Sequence, residues 1–351
     1  MPFPQVTSHK PQRSRRAFAV TGAFVAAAAL AATALAGPAL ASPVAASTAK
    51  AGAGSTGTGS ASAGPLPVDY SFAAGFTAGF GFPTTAPPGA NNFGCRPTAA
   101  HPHPVILVNG TFENQNDNWR AAAPLLANHG YCVFAFNYGG VTAAADVQGT
   151  QEIAASARQL ASFVATVLAA TGAAKADLVG HSQGGMMPRY YIEYLGGAAK
   201  TNALVGLAPS NYGTTLDGLS TFVTQLGLAD PFVTGLSALC ESCGEQIAGS
   251  SFLATVNATP TSPGVQYTVI ESRDDEVVTP YTNAFLPAAP NVTNITVQNQ
   301  CLLDQSDHLE LAYDPVAMAD MLNALDPADP VRIPCVPVLP VTGPTVPVPS
   351  Y

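Results

Sequence analysis

The chain has 351 residues, 47% of them hydrophobic and only 10% charged, with a formal net charge of −9. That length supports one large α/β domain without requiring two, and the low charge leaves solubility to Ser, Thr, Asn, Gln and backbone groups. An acidic balance with no basic tract beyond the N-terminus argues against a nucleic-acid partner.

Residues 1–41 read as an export signal. Arg13, Arg15 and Arg16 form a basic region, Ala17 to Ala36 an apolar run, and Ala39-Leu40-Ala41 a small-residue cleavage site. Ala34-Leu35-Ala36 is a second candidate site, and Ser14-Arg15-Arg16-Ala17-Phe18 resembles the twin-arginine export motif. The competing reading is a membrane anchor, since the core is about the length that can span. Its Ala-rich composition and the small residues after it favour cleavage and secretion. Residues 42–66 are mostly Ala, Ser, Thr and Gly through Gly64 and bury too little apolar surface to order, so they read as a flexible linker.

The expected catalytic domain is 67–335. Phe72 to Phe82 is Gly/Phe-rich and reads as a loop lying on the core. A strand at Val105–Val108 leads into the turn Asn109-Gly110-Thr111-Phe112. Asp117 or Asn118 can cap a helix running to about Asn128, ended by Gly130. A strand at Cys132–Asn137 follows, then a long helix from about Gln148 to Ala170. In that helix Ile153, Ala157, Leu160, Val164 and Leu168 recur near helical spacing, and Gly172 stops it. Next come a strand at Ala176–Val179, a helix at Met186–Leu195 and a strand at Ala203–Leu207. Residues 212–261 break this rhythm with closely spaced apolar residues and few charges, and read as a short helical cap or lid insertion. Strands at Val265–Ile270 and Val292–Val297 and a helix at about Pro315–Leu325 resume the pattern. Residues 336–351 form a Pro/Val-rich tail, expected to be extended and mobile. Strands apolar on both faces, alternating with helices, predict an α/β fold with a mostly parallel sheet of about six strands covered on both sides.

Gly180-His181-Ser182-Gln183-Gly184, between a strand and a helix, has the form of a nucleophile elbow. The sharp turn strains the serine backbone, Gly180 and Gly184 remove Cβ clashes, and the helix N-terminus favours developing negative charge. A serine hydroxyl needs a base, and in this topology an acid and then a histidine follow it in sequence. His308 is the only histidine after Ser182. For the acid, Asp275 is preferred because Val277-Val278 can pack behind it. Asp274 is the runner-up, paired with Arg273. Asp304 and Asp307 lie too close to His308 on one loop. The same acidic cluster is also a candidate cation site. The oxyanion requires two donors: the Gln183 backbone N–H and a group from Gly110-Thr111, to which Thr111 can add its hydroxyl. His181 reads as an elbow-packing residue, because adjacent side chains diverge. Asn109-Gly110-Thr111 matches a glycosylation acceptor, but a strand end argues for burial.

Six cysteines in an exported chain suggest three disulfides. Pairing neighbouring elements joins Cys95 to Cys132, Cys240 to Cys243 and Cys301 to Cys335. Cys240-x-x-Cys243 is alternatively a redox pair or half a zinc site, but no second such pair and no nearby histidine support this.

The stretches Val105–Thr111, Leu178–Gly185, Leu207–Thr214, Asp275–Pro280 and Asp307–Leu309 resemble the α/β-hydrolase superfamily, within it the secreted class 2 lipases and esterases of actinobacteria. More distantly they are similar to the lipase B group of yeasts. The resemblance spans roughly residues 95–335. It implies Ser182, Asp275 and His308 as triad, Thr111 and Gln183 as oxyanion donors, carboxylic-ester and often acylglycerol substrates, and no cofactor or metal. Many relatives have His-Gly where this chain has Asn109-Gly110. The expected function is that of a secreted carboxylic ester hydrolase, a lipase or esterase, acting as a monomer with transient contact to a lipid interface. The alternatives are an acyltransferase using the same triad and a non-catalytic secreted envelope or binding protein.

Overall fold

A computed structural model describes residues 64–215, Gly218, Thr221, Gln225 and 240–351. The export signal of residues 1–41 and the linker through residue 63 lie outside the described residues, as does most of the stretch between 216 and 239 in the expected insertion.

Six strands form one sheet: β1 (Val105–Val108), β2 (Val133–Phe136), β3 (Ala176–His181), β4 (Thr201–Leu207), β5 (Gln266–Glu271) and β6 (Val292–Thr296). Their order is β2-β1-β3-β4-β5-β6, and every pairing is parallel. Parallel neighbours require crossovers, and the helices supply them. Alternate residues of one strand serve opposite faces. In β1, Val105 and Leu107 join a core with α2 (Ala122–Asn128) and α7 (Pro315–Leu325), whereas Ile106 and Val108 join a core with α3 (Ile153–Thr171) and α4 (Gln183–Tyr194). Each such fully buried aliphatic side chain contributes about 1.5–3 kcal/mol, so shifting a strand by one residue would exchange the two cores' contents.

Three segments differ from the sequence expectation. Phe72–Gly79 is a helix, α1, not a loop: Ser71 caps it by accepting from the Ala74 N–H, and Phe72, Phe76 and Phe80 stack in succession. Its glycines are places of close approach, since a Cβ at Gly75 would collide with the Tyr313 ring and one at Gly79 with the Asp117 backbone. The second difference is that α2 begins at Ala122, without a side-chain cap. Asp117 instead accepts from the Asn114 N–H, and Asn114 from the N–H groups of Asn116 and Asp117, so local side-chain bonds outcompete helix there. Thirdly, the tail is fastened. β7 (Val338–Leu339) pairs antiparallel with β8 (Gly343–Pro344), and the Tyr351 hydroxyl donates to the Pro315 carbonyl.

The described part of the insertion contains two short helices, α5 (Glu241–Glu245) and α6 (Ser251–Ala258), the latter packed into the α3/α4 core. Disulfides join Cys95 to Cys132, Cys240 to Cys243 and Cys301 to Cys335. The Cys240-x-x-Cys243 sulfurs are bonded to each other, which removes the zinc reading.

Candidate active site

In a parallel sheet the C-terminal strand ends open onto one edge, and loops leaving them converge there. Thr111 follows β1, Ser182 follows β3, Asp275 follows β5 and His308 follows β6. Ser182 sits between β3 and α4 with φ 55° and ψ −123°, a left-handed-side conformation that costs a non-glycine residue about 1–3 kcal/mol. The surroundings hold it there: its N–H donates to Leu207 O at 2.9 Å and its carbonyl accepts from Gly185 N–H at 2.9 Å. The flanking glycines are obligatory on steric grounds. A Cβ at Gly180 would lie 1.8 Å from the Gly184 carbonyl oxygen, and one at Gly184 would lie 2.0 Å from the Val108 carbonyl oxygen.

His308 is fully buried, and its Nδ1 lies 2.7 Å from Asp275 Oδ2. A carboxylate only accepts, so the Nδ1–H donates and the neutral ring presents its lone pair at Nε2. Burial disfavours the imidazolium, but the Asp275 charge and hydrogen bond, with the charges of Glu276 and Glu113, outweigh it and hold His308 above the ordinary histidine value. The other Asp275 oxygen, Oδ1, accepts from the N–H groups of Val277 and Val278, each at 2.8 Å. Asp274 is exposed, and its N–H donates to Ser272 Oγ. Arg273 pairs with Asn299 rather than with Asp274. The acid and histidine loops are tied together where Ser272 Oγ donates to Ser306 O at 2.5 Å. Asp307 accepts from the Glu310 N–H and Asp304 from Ser306, so neither is the hydrogen-bond partner of the His308 ring.

A small cleft opens over Ser182, lined by Thr111, Ser210, Thr214, Gln246, Val277 and Val278. The Thr111 hydroxyl donates to Gln183 Oε1 at 2.7 Å, so its proton points into that side-chain network and not at the cleft. Gln246, which the sequence did not single out, donates from Nε2 to both Thr111 Oγ1 and Gln183 Oε1 at 2.9 Å. Its own Oε1 accepts from the Ser210 hydroxyl. Gln183 is the first residue of α4, where backbone N–H groups have no helical partner and face the elbow.

Asn109 is fully buried, and its Nδ2 donates to the carbonyls of Gly110 and Glu113, so the turn makes its own hydrogen bonds without a histidine. His181 is buried too, but it is not mere packing: both ring nitrogens are hydrogen-bonded, Nδ1 to Glu113 and Nε2 to the His308 carbonyl. Glu113 carried no signal beyond being an acid in the turn after β1. Among the described residues no three His, Cys, Asp or Glu side chains gather so as to hold a metal ion.

A serine on a strained strand-to-helix turn, with a carboxylate-bound histidine on the same sheet edge, also describes known proteins. Residues 102–319, well over half of the chain, match the family model for lipase (class 2). Triacylglycerol lipases of Pseudarthrobacter phenanthrenivorans and Burkholderia plantarii are each 37% identical over 147 residues. That stretch is 40% of this chain and 41% and 37% of theirs, so the match spans about two fifths of the length of these relatives. Lipase B of Aspergillus fumigatus superposes with a TM-score of 0.52 at 19% identity, over 68% of this chain and 55% of that one, a likeness of fold. The parallel six-stranded sheet is accordingly an α/β-hydrolase sheet, and the chain belongs to the class 2 lipase family.

Proposed function

We propose that the chain is an exported hydrolase of carboxylic esters, with acylglycerols as the substrate class. The observation that carries this reading is the buried Asp275–His308 pair on the sheet edge that also bears the Ser182 elbow. His308 Nε2 takes the Ser182 proton as Oγ bonds to the ester carbonyl carbon. The carbonyl oxygen becomes an oxyanion, held by the backbone N–H groups of Thr111 and Gln183. His308 then returns the proton to the departing alcohol, leaving an acyl group on Ser182. Water, deprotonated by His308, attacks the acyl carbon, and the proton passes from His308 to Ser182 Oγ as the acyl–oxygen bond breaks and the carboxylic acid leaves. Thr111 acts through its amide, because its hydroxyl is committed to Gln183. The reading includes the export signal of residues 1–41, the linker 42–66 and a catalytic domain over 67–335. It also includes contact with a lipid interface during turnover.

The test is hydrolysis of p-nitrophenyl esters of increasing chain length, and of an emulsified triacylglycerol, by the mature protein with Ser182→Ala as control. Turnover on the esters and on the emulsion, absent in the variant, is expected. Turnover only on short soluble esters would leave an esterase and remove the acylglycerol assignment. Products of alcoholysis in preference to hydrolysis, with an added alcohol, would move the protein to acyl transfer.

A further inference from the structure

Behind the site lies a second histidine–carboxylate pair that the mechanism above does not use. Glu113 and His181 are both fully buried, with Glu113 Oε2 2.8 Å from His181 Nδ1. The other ring nitrogen, Nε2, lies 2.9 Å from the backbone carbonyl of His308. A carbonyl oxygen only accepts, so Nε2 carries a hydrogen and donates it. The contact between Nδ1 and Oε2 then holds a further hydrogen between ring and carboxyl. Asn118 closes the arrangement: its Nδ2 donates to Glu113 Oε1 at 3.1 Å, and its Oδ1 accepts from Gly110 N–H at 2.9 Å.

The chain positions make this arrangement informative. Glu113 and Asn118 belong to the loop that carries Gly110 and Thr111. His181 immediately precedes Ser182. His308 carries the base on a third loop. One hydrogen-bonded chain, Gly110–Asn118–Glu113–His181–His308, therefore joins the oxyanion turn, the nucleophile elbow and the base loop, three segments remote in sequence. Loops by themselves are poor at holding a geometry, and a displacement of about 1 Å in a reacting group can cost on the order of 100-fold in rate.

We propose that Glu113 and His181 act as a positioning pair, a buried bracket that sets His308 and the oxyanion turn in register with Ser182. The proposal rests on the reading of Ser182 as nucleophile and His308 as base. Neither residue touches substrate. Their contribution is to the geometry of the step, and it therefore falls on kcat and not on substrate binding.

The experiment measures kcat and KM for a soluble p-nitrophenyl ester, together with thermal unfolding, in the parent and in Glu113→Ala, His181→Ala, the double variant, Glu113→Met and Glu113→Gln. The single alanine variants are expected to unfold cooperatively and to lose roughly 10- to 100-fold in kcat with KM little changed. Because the two side chains act as one unit, the double variant should lose no more than the worse single variant. Glu113→Met, similar in length but able to make neither contact, is the second variant should the alanine variants fail to fold, and it should lose kcat as they do. A glutamine can keep both contacts, its Oε1 accepting from Asn118 and its Nε2 donating to the lone pair of a neutral His181 Nδ1, so Glu113→Gln should hold kcat within a few-fold of the parent's where Glu113→Met does not. A folded Glu113→Met or Glu113→Ala with the parent's kcat, a Glu113→Gln as impaired as these two, a loss confined to KM, or single losses that multiply in the double variant would each overturn the bracket. If the parent itself shows no Ser182-dependent turnover, the reading of the whole site fails and the bracket with it; an active parent beside unaffected variants sinks the bracket alone.

Discussion

Asp275 holds His308 with one carboxylate oxygen, Oδ2 at 2.7 Å from Nδ1, and anchors itself with the other. Its Oδ1 is fixed by two backbone N–H groups, those of Val277 and Val278, while Asp274 beside it is exposed. Asp275→Asn keeps the shape but can present N–H where His308 needs an acceptor, so the wrong tautomer is favoured and kcat should fall on the order of 10⁴-fold. Asp274→Asn should leave kcat close to the parent's. Steady-state kinetics on the two variants checks this, and the reverse pattern would transfer the role to Asp274.

In the proposed mechanism His308 acts in its neutral form, and its pKa is held above the ordinary histidine value. Activity is therefore lost as pH falls through that raised value, and the acidic limb of kcat/KM should lie on the alkaline side of an unperturbed histidine. Glu276 is one of the charges that raise it. Glu276→Gln should move the limb to lower pH while turnover persists at its plateau. A limb that stays in place or moves upward in that variant would remove Glu276 from the electrostatics of the site.

Asp314 caps α7 by accepting from the Ala317 N–H, yet it is fully buried beside Asp304. Burial first, and then the Asp304 charge, push its carboxyl well above the usual range. Such a group keeps its proton in the folded state after the unfolded chain has released it. Its contribution to stability is complete below the unfolded carboxylate pKa and declines as pH rises towards the folded value. Asparagine caps helices as well as aspartate does. Asp314→Asn should therefore flatten this decline and raise the unfolding temperature at neutral pH relative to the parent. Thermal melts from mildly acidic to neutral pH check it, and a lower melting temperature for the variant at every pH would contradict it.

The disulfides Cys95–Cys132 and Cys301–Cys335 close segments of 37 and 34 residues, while Cys240–Cys243 closes one of 3. Chain-entropy arguments give about 4 kcal/mol for each of the longer two and about 2 kcal/mol for the short one. Reductant should lower the unfolding temperature markedly, with the loss of Cys301–Cys335 also releasing the segment that follows the histidine loop. A melt unaffected by full reduction would contradict a stabilising role.

The sheet was legible because its central strands carry short apolar runs punctuated by glycines and helices, the edge strand β6 being more polar, and β1 and α7 occur where that pattern puts them. The elbow was legible for a steric reason, since Gly180 and Gly184 stand where a Cβ would strike backbone. What escaped was decided by contacts distant in sequence. The glycines of α1 argue for a loop, but Gly75 admits the Tyr313 ring and Gly79 the Asp117 backbone. The loop 113–118 imitates a helix start because Asn and Asp suit caps, and here the same side chains serve one another and the His181 ring. Gln246 reaches Thr111 and Gln183 from the far side of the insertion, and no local motif marks it.

If Ser182 is the nucleophile, an electrophile that mimics the ester carbonyl will label it covalently. The parent and Ser182→Ala are treated with a p-nitrophenyl alkylphosphonate and followed by release of p-nitrophenol, intact mass and peptide mapping. One adduct per parent chain is predicted, located on Ser182, with ester hydrolysis lost in proportion to labelling and no adduct on the folded variant. A folded parent that takes no label, or a Ser182→Ala variant that still hydrolyses esters at the parent's rate, would show that Ser182 is not the nucleophile.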